Sequence, residues 1–233
     1  MTRQASEDAL VQKAGAALEE MLSLGVTTCE AKSGYGLDRQ TELKQLAVIR
    51  RLGRTQPVEL AATYLGAHAV PEEYKACRDE YIRLMTEEMI PLVAREGLAE
   101  FCDVFCETGV FTASESEQIL GAALAHGLKV KIHTDEIDAI GGTELAGALS
   151  AVSAEHLIAA TDRGIAALAK GGTVAVLLPA TSFYLGKPYA RARDMIAAGV
   201  PVAVASDFNP GSCPSLNLQL VMNLACWNYR LTP

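Results

Sequence analysis

The chain has 233 residues, half of them hydrophobic and 21% charged, with a net charge of −8. Such a chain is long enough to bury its own core and too apolar to stay disordered. Its acidic balance and dispersed Lys and Arg exclude nucleic acid and anionic membrane surfaces as expected partners, and no stretch nears the ~18 apolar residues of a membrane span.

Six cysteines (Cys29, Cys77, Cys102, Cys106, Cys213, Cys226) form no C-x-x-C pair, and no signal-peptide core is present. Reduced thiols in the cytoplasm are the expectation, with Cys102 and Cys106 read as small buried hydrophobes.

One period runs along the chain: helix, glycine, short apolar run, polar loop, helix. Ser6 caps a helix carried by Leu10, Ala14, Leu18 and Met21, and Gly25 ends it before a β-rich run from Val26. Asp38 opens a second helix that ends near Gly53, followed by a strand from Val58. A long helix is expected over Tyr74 to Arg95, then a strand from Phe101. Ser114 and Glu117 match a capping box, and Gly127 stops the helix they open, with His126 suited to the negative pole of that helix end. Strands then start at Lys129, Ser153, Thr173 and Val200, separated by helices over Gly142 to Leu149, Thr161 to Lys170 and Arg191 to Ala198.

Seven apolar strands alternating with helices define an α/β protein with a parallel sheet. Two architectures fit: an open doubly wound sheet, or a (β/α)8 TIM barrel present only as strands 2 to 8. Leu231-Thr232-Pro233 also reads as the start of a helix with nothing after it. No glycine-rich fingerprint follows a strand, so a dinucleotide site has no support.

In α/β folds the chemistry gathers at the carboxyl ends of strands. There the sequence places Lys32-Ser33-Gly34-Tyr35-Gly36, Gly66-Ala67-His68, His133-Thr134-Asp135-Glu136, Glu155-His156 and Ser206-Asp207-Phe208-Asn209-Pro210-Gly211-Ser212. Imidazole and carboxylate ligands from separate strands suit a borderline metal such as zinc or iron, and His133, His156 and Asp207 meet that requirement, with satisfied buried histidines and a capping Asp as the alternative. Glu136 follows His133 closely enough to reach a water or substrate, or is a solvated loop carboxylate. Tyr35 and His68 are loop residues or ligand contacts. Asn209 to Ser212 offer donors to an anion or form a turn.

K-S-G-Y-G-L, T-Y-L-G-A-H-A-V-P, K-I-H-T-D-E, A-E-H-L and S-D-F-N-P-G-S-C-P-S, in this order, resemble the imidazolonepropionase family of the amidohydrolase superfamily, from about Leu22 to the end. The resemblance implies hydrolysis of the cyclic amide of 4-imidazolone-5-propanoate to N-formimino-L-glutamate in histidine degradation, with one Zn2+ or Fe3+ ion and a small-molecule substrate. It implies His133 and Asp207 as metal ligands, and His156 as the active-site histidine beside the attacking water. Glu136 would contact the ring and help activate water. Tyr35, His68, Asn209, Gly211 and Ser212 would contact substrate or product.

The sequence departs from the family pattern in holding no His-x-His pair, no substrate-carboxylate arginine after such a pair, and no small β-sandwich. Residues 1–233 are therefore expected to be a partial hydrolase barrel domain that holds metal weakly or not at all and has little activity alone. Its uncovered strand edges would favour association, a homodimer included. Two other functions stay open at this point: a different amidohydrolase, such as an amino-heterocycle deaminase, and a non-catalytic binding module.

Overall fold

Glycine stops followed by β-branched runs set the alternation of helix and strand, and the computed structural model, which describes residues 1–232, falls into two units. The first comprises residues 1–22, 26–105 and 109–130, and the second comprises 23–25, 106–108 and 131 onward.

In the first unit, α1 (Glu7–Ser23) starts behind Ser6, whose hydroxyl accepts the Ala9 N–H (3.2 Å). It leads to β1 (Thr28–Lys32), α2 (Arg39–Leu52) and β2 (Glu59–Ala67). As the sequence predicts, the Asp38 side chain caps α2 by accepting the Thr41 N–H (2.7 Å). After β2 come α3 (Arg78–Arg83), α4 (Ile90–Arg95), β3 (Phe101–Cys106) and α5 (Ala113–Ala125). The β2 strand pairs in parallel with β1 on one side and β3 on the other, with a register shift between Tyr64 and Ala67. Leu46, Tyr64, Met85, Met89, Ile90 and Cys102 are buried in its core; Cys106, the last residue of β3, is buried as well, and both cysteines behave as small hydrophobes.

Two local expectations are corrected here. The single helix expected over Tyr74 to Arg95 starts later and is not α throughout: after a 3-10 turn (Glu72–Tyr74), α3, a π-helical stretch (Leu84–Met89) and α4 run on without a break from Arg78 to Arg95. Pro91, in the first turn of α4, has no N–H to give to the carbonyl four residues earlier, and widening to π geometry absorbs that loss. The capping box before α5 is Thr112 with Glu115, not Ser114 with Glu117: Thr112 accepts the Glu115 N–H (3.2 Å) and Glu115 accepts the Thr112 N–H (2.8 Å). His126 closes α5 at its C-cap.

In the second unit, β4 (Lys129–Thr134), β5 (Ser153–His156), β6 (Val174–Leu177) and β7 (Val202–Val204) pair in parallel in chain order. Between them lie α6 (Gly142–Ala148), α7 (Asp162–Gly171, capped by Thr161), α8 (Pro179–Leu185) and α9 (Ala192–Ala197), and α10 (Leu218–Tyr229) follows β7. The sequence reading missed α8 and α10. Pro179, which closes the apolar run of β6, sits at the first turn of α8, where a missing N–H costs nothing. Ala180, Cys213, Val221 and Leu224 bury the face between these two helices and the end of β7. All seven strands begin at, or within two residues of, the positions read from the sequence. The Leu231-Thr232-Pro233 signal ends in Pro233, outside the described residues. Among the described residues no helix is long and apolar enough to cross a membrane.

Candidate active site

In the first unit, the loop after β1 carries Tyr35, which is 44% exposed. Its backbone is held by side chains of α2. The N–H groups of Gly34, Gly36 and Leu37 donate to Glu42 (2.8, 2.8 and 2.9 Å), and that of Tyr35 donates to Gln45 Oε1 (3.3 Å). The loop after β2 carries His68, whose Nδ1–H donates to the Gly34 carbonyl (2.9 Å), so that in the neutral ring Nε2 holds the lone pair. The Tyr35 and His68 rings meet edge to face at 5.2 Å between centroids. The structure thus brings these two residues together.

The second unit assembles the imidazoles. His133 on β4 is the register partner of Glu155 on β5, and Thr134 of His156. Parallel partners project side by side, so His133 Nδ1 lies 4.0 Å from Glu155 Oε2. His156 is one residue out of that register, and with its backbone left-handed its ring lies 5.4 Å from that of His133. At the end of β5 the backbone turns left-handed at His156 and Leu157 (φ 71° and 58°), and the Leu157 N–H donates to the Thr134 carbonyl (3.2 Å). Glu136, just past β4, places a carboxylate oxygen 3.7 Å from His156 Nε2. Burial, then the Asp207 carboxylate, pushes the Glu136 carboxyl above its ordinary range, while His133 pulls it back.

Asp207, after β7, is left-handed (φ 52°) and accepts the Thr181 hydroxyl on Oδ2 (2.9 Å). The loop beyond it folds around Asn209. The Asn209 amide donates to the Asp207 carbonyl (2.7 Å) and to Ser212 Oγ (2.8 Å), while its Oδ1 accepts the N–H groups of Gly211 (2.9 Å) and Ser212 (2.8 Å). Here the turn expected as one of two alternatives is formed, and an anion would have to compete with Asn209 for those amides.

The donor chemistry suits a metal of borderline softness: two imidazoles and the carboxylates of Glu136, Glu155 and Asp207, from three strand ends of one unit. Sequence reasoning missed three buried carboxylates. Glu155 was passed over beside His156. Asp135 accepts the hydroxyls of Thr134 (2.9 Å) and Thr143 (2.5 Å). Glu107 accepts the N–H groups of Thr108, Ile137 and Asp138 (2.8, 2.9 and 3.1 Å), which fixes the backbone after Glu136. Within the first unit, Lys32 pairs with Glu30 (2.6 Å) and with the buried Asp103 (2.8 Å), and Asp103 was legible only as a lone acid in an apolar strand.

Solved structures show the fold. The chain matches guanine deaminase from C. acetobutylicum with bound guanine at a TM-score of 0.71, over 97% of this chain and 56% of that one, with 13% identity. It matches a zinc-bound adenosine deaminase from Xanthomonas campestris at 0.70, over 97% and 52%, with 17% identity. The fold is that of the amidohydrolase (β/α) barrels, and the chain spans about half of them.

Sequence narrows the class. The chain is 55% identical over 232 residues to imidazolonepropionase of Geobacillus thermodenitrificans and 54% identical over 232 residues to that of Bacillus velezensis. These alignments take in 99–100% of this chain and 55% of each relative. The chain is a homologue of imidazolonepropionase along its whole length, and it spans about half the length of the curated relatives it matches. No protein-family model matches it.

Proposed function

We propose that residues 1–233 are part of one hydrolase barrel domain whose complete protein hydrolyses the ring amide of 4-imidazolone-5-propanoate to N-formimino-L-glutamate, in the cytoplasm. One observation carries the reading: His133, His156 and Glu136 converge at the ends of neighbouring strands, in a chain 51–55% identical to imidazolonepropionases. The deaminase alternative rests on fold likeness alone, and six free cysteines and a net charge of −8 suit a reducing compartment and a small-molecule partner.

In this proposal His133 and Asp207 are metal ligands, Asp207 through the oxygen that Thr181 leaves open. A zinc or iron ion bound there would polarise the ring carbonyl and make water acidic enough to attack near neutral pH. His156 or Asp207 takes the proton from the attacking water. The ring carbon–nitrogen bond then breaks, and the released nitrogen keeps the electron pair and takes up that proton. Glu136, held beside His156, contacts the ring and orients the water. Tyr35 and His68 offer a phenol and an imidazole nitrogen to the substrate, and the Asn209–Ser212 turn, including Gly211, meets its carboxylate where that carboxylate displaces Asn209 Oδ1 from the Gly211 and Ser212 amides.

This chain contains no His-x-His pair, so by itself it is expected to hold metal weakly and to turn over little substrate. The test compares the 233-residue chain with the complete protein for bound zinc or iron and for imidazolone-propanoate hydrolysis. Metal lost with His133→Ala and turnover lost with Asp207→Asn in the complete protein are expected. Wild-type turnover by Asp207→Asn would defeat the assignment.

A further inference from the structure

Glu42 is a buried carboxylate that the proposed chemistry does not use. It lies in the first turn of α2, 2% exposed, and three backbone N–H groups converge on it from a loop that belongs to no strand or helix. The three donors bracket Tyr35: Gly34 on one side, Gly36 and Leu37 on the other. Gln45 takes the Tyr35 N–H itself, so α2 satisfies every amide from 34 to 37. Two further bonds fix the loop's carbonyls, from His68 Nδ1 to Gly34 (2.9 Å) and from Arg3 Nε to Gly36 (2.7 Å). The approach is so close that a Cβ on Gly36 would fall 2.5 Å from Thr41 Cβ.

We infer that Glu42 is a positioning residue: its carboxylate fixes the Gly34–Leu37 loop and, through it, the Tyr35–His68 pair that meets the ligand. The ligand clause rests on the reading of Tyr35 and His68 as substrate contacts. A carboxylate suits the task because it is acceptor-only: two oxygens take three donors at once, and charge-assisted bonds to backbone amides are strong. A glutamine of the same size brings one oxygen and an NH2 group. At least one loop amide then faces a donor in place of an acceptor. Because Glu42 sits one helical turn from the loop it holds, its loss releases Tyr35 without removing any group that touches the ligand.

The test uses the 233-residue chain, E42Q and E42D, followed by NMR. In E42Q the amide exchange of Gly34, Gly36 and Leu37 is expected to rise about tenfold, the loss of one charge-assisted bond. The cross-peak between the Tyr35 and His68 rings should disappear, while the amides of Leu46 and Leu52 keep their protection. E42D, one methylene short but still acceptor-only, should show the same selective change at smaller size, and it decides the matter if E42Q does not fold. Imidazole-4-propanoate is the binding probe. It should shift Tyr35 and His68 in the wild type and bind about tenfold more weakly to E42Q. Loop amides that change no more than the core, with the ring cross-peak intact, overturn the positioning role, as does unfolding by both variants. No shift at Tyr35 and His68 in the wild type overturns the ligand-contact reading instead, whatever the exchange rates show.

Discussion

The two units hold their strand-end loops by different backbone strategies. After β1 the chain turns at a glycine, Gly34 (φ 105°), and is fastened from outside, the Glu42 carboxylate collecting its amides, that of left-handed Leu37 included. In the second unit the turns at the strand ends use side-chain-bearing residues in the left-handed region: Asp135, His156, Leu157 and Asp207, at φ between 52° and 71°. Such conformations cost of order 1–3 kcal/mol each for residues with a Cβ and persist where their surroundings over-determine them. Two of these four are proposed catalytic residues, and a third, Asp135, lies between a proposed ligand and a proposed catalytic carboxylate. Chemistry needs a side chain at the turn, so glycine cannot serve there. In the first unit Tyr35 contacts its ring partner from beside Gly34, which takes the left-handed turn without a Cβ, and the one strained residue of that loop is Leu37 (φ 57°), whose N–H Glu42 holds.

This contrast explains what the sequence could and could not disclose. The seven strands were legible because each is an apolar run after a glycine or a capped helix. His133, His156 and Asp207 were legible because rare polar residues follow such runs. Glu42 and Glu107 were not. Their partners are backbone amides, which every residue carries, so a lone carboxylate on a helix or at a strand end reads as solvated. The capping box was misplaced because Thr112–Glu115 and Ser114–Glu117 satisfy the same spacing, and only the structure shows which hydroxyl meets the N–H. Bond direction, unlike residue spacing, is not written in the residue types.

Asp135 gives the largest effect that could break the comparison. Its carboxylate is fully buried and takes the hydroxyls of Thr134 and Thr143. Asp135→Ala strands both hydroxyls and leaves a Cβ residue at φ 52° with nothing to hold it there. A loss of about 3 kcal/mol in stability is expected, measured as urea unfolding followed by circular dichroism. Asp135→Asn keeps an acceptor and a residue tolerant of the left-handed region, and should lose about 1 kcal/mol. Equal losses in the two variants would show that the second unit does not depend on this anchoring.

Gly34 tests the other side. An alanine there meets the Leu65 carbonyl oxygen at 2.7 Å and sits at φ 105°, outside the region open to L-residues. Gly34→Ala should cost about 2 kcal/mol in the same unfolding experiment, because the loop can yield partly toward solvent where Asp135 cannot. A cost below about 0.5 kcal/mol would mean that the loop rearranges freely and that glycine is not what shapes it.

The smallest effect has the opposite sign and concerns a left-handed residue with no chemistry to perform. Helix α6 ends in a Schellman motif: the Ser150 N–H donates to Gly147 O (3.2 Å) and the Ala151 N–H to Ala146 O (2.9 Å), with Ser150 at φ 49°. Glycine occupies the equivalent place after α5 and α9, as Gly127 and Gly199. Ser150 is exposed and makes no contact that would reward its side chain for the strained backbone. Ser150→Gly removes a left-handed penalty of about 1 kcal/mol and adds back part of it as unfolded-chain entropy. The balance should be a gain near 0.5 kcal/mol, seen as a rise of about 1–2 °C in Tm. Gly127→Ser, the reverse change at the end of α5, should lower Tm by a similar or larger amount. A fall in Tm for Ser150→Gly would mean that the serine is held there by something other than chance. The left-handed residues of the second unit could then no longer be divided into those that serve the site and those that merely end a helix.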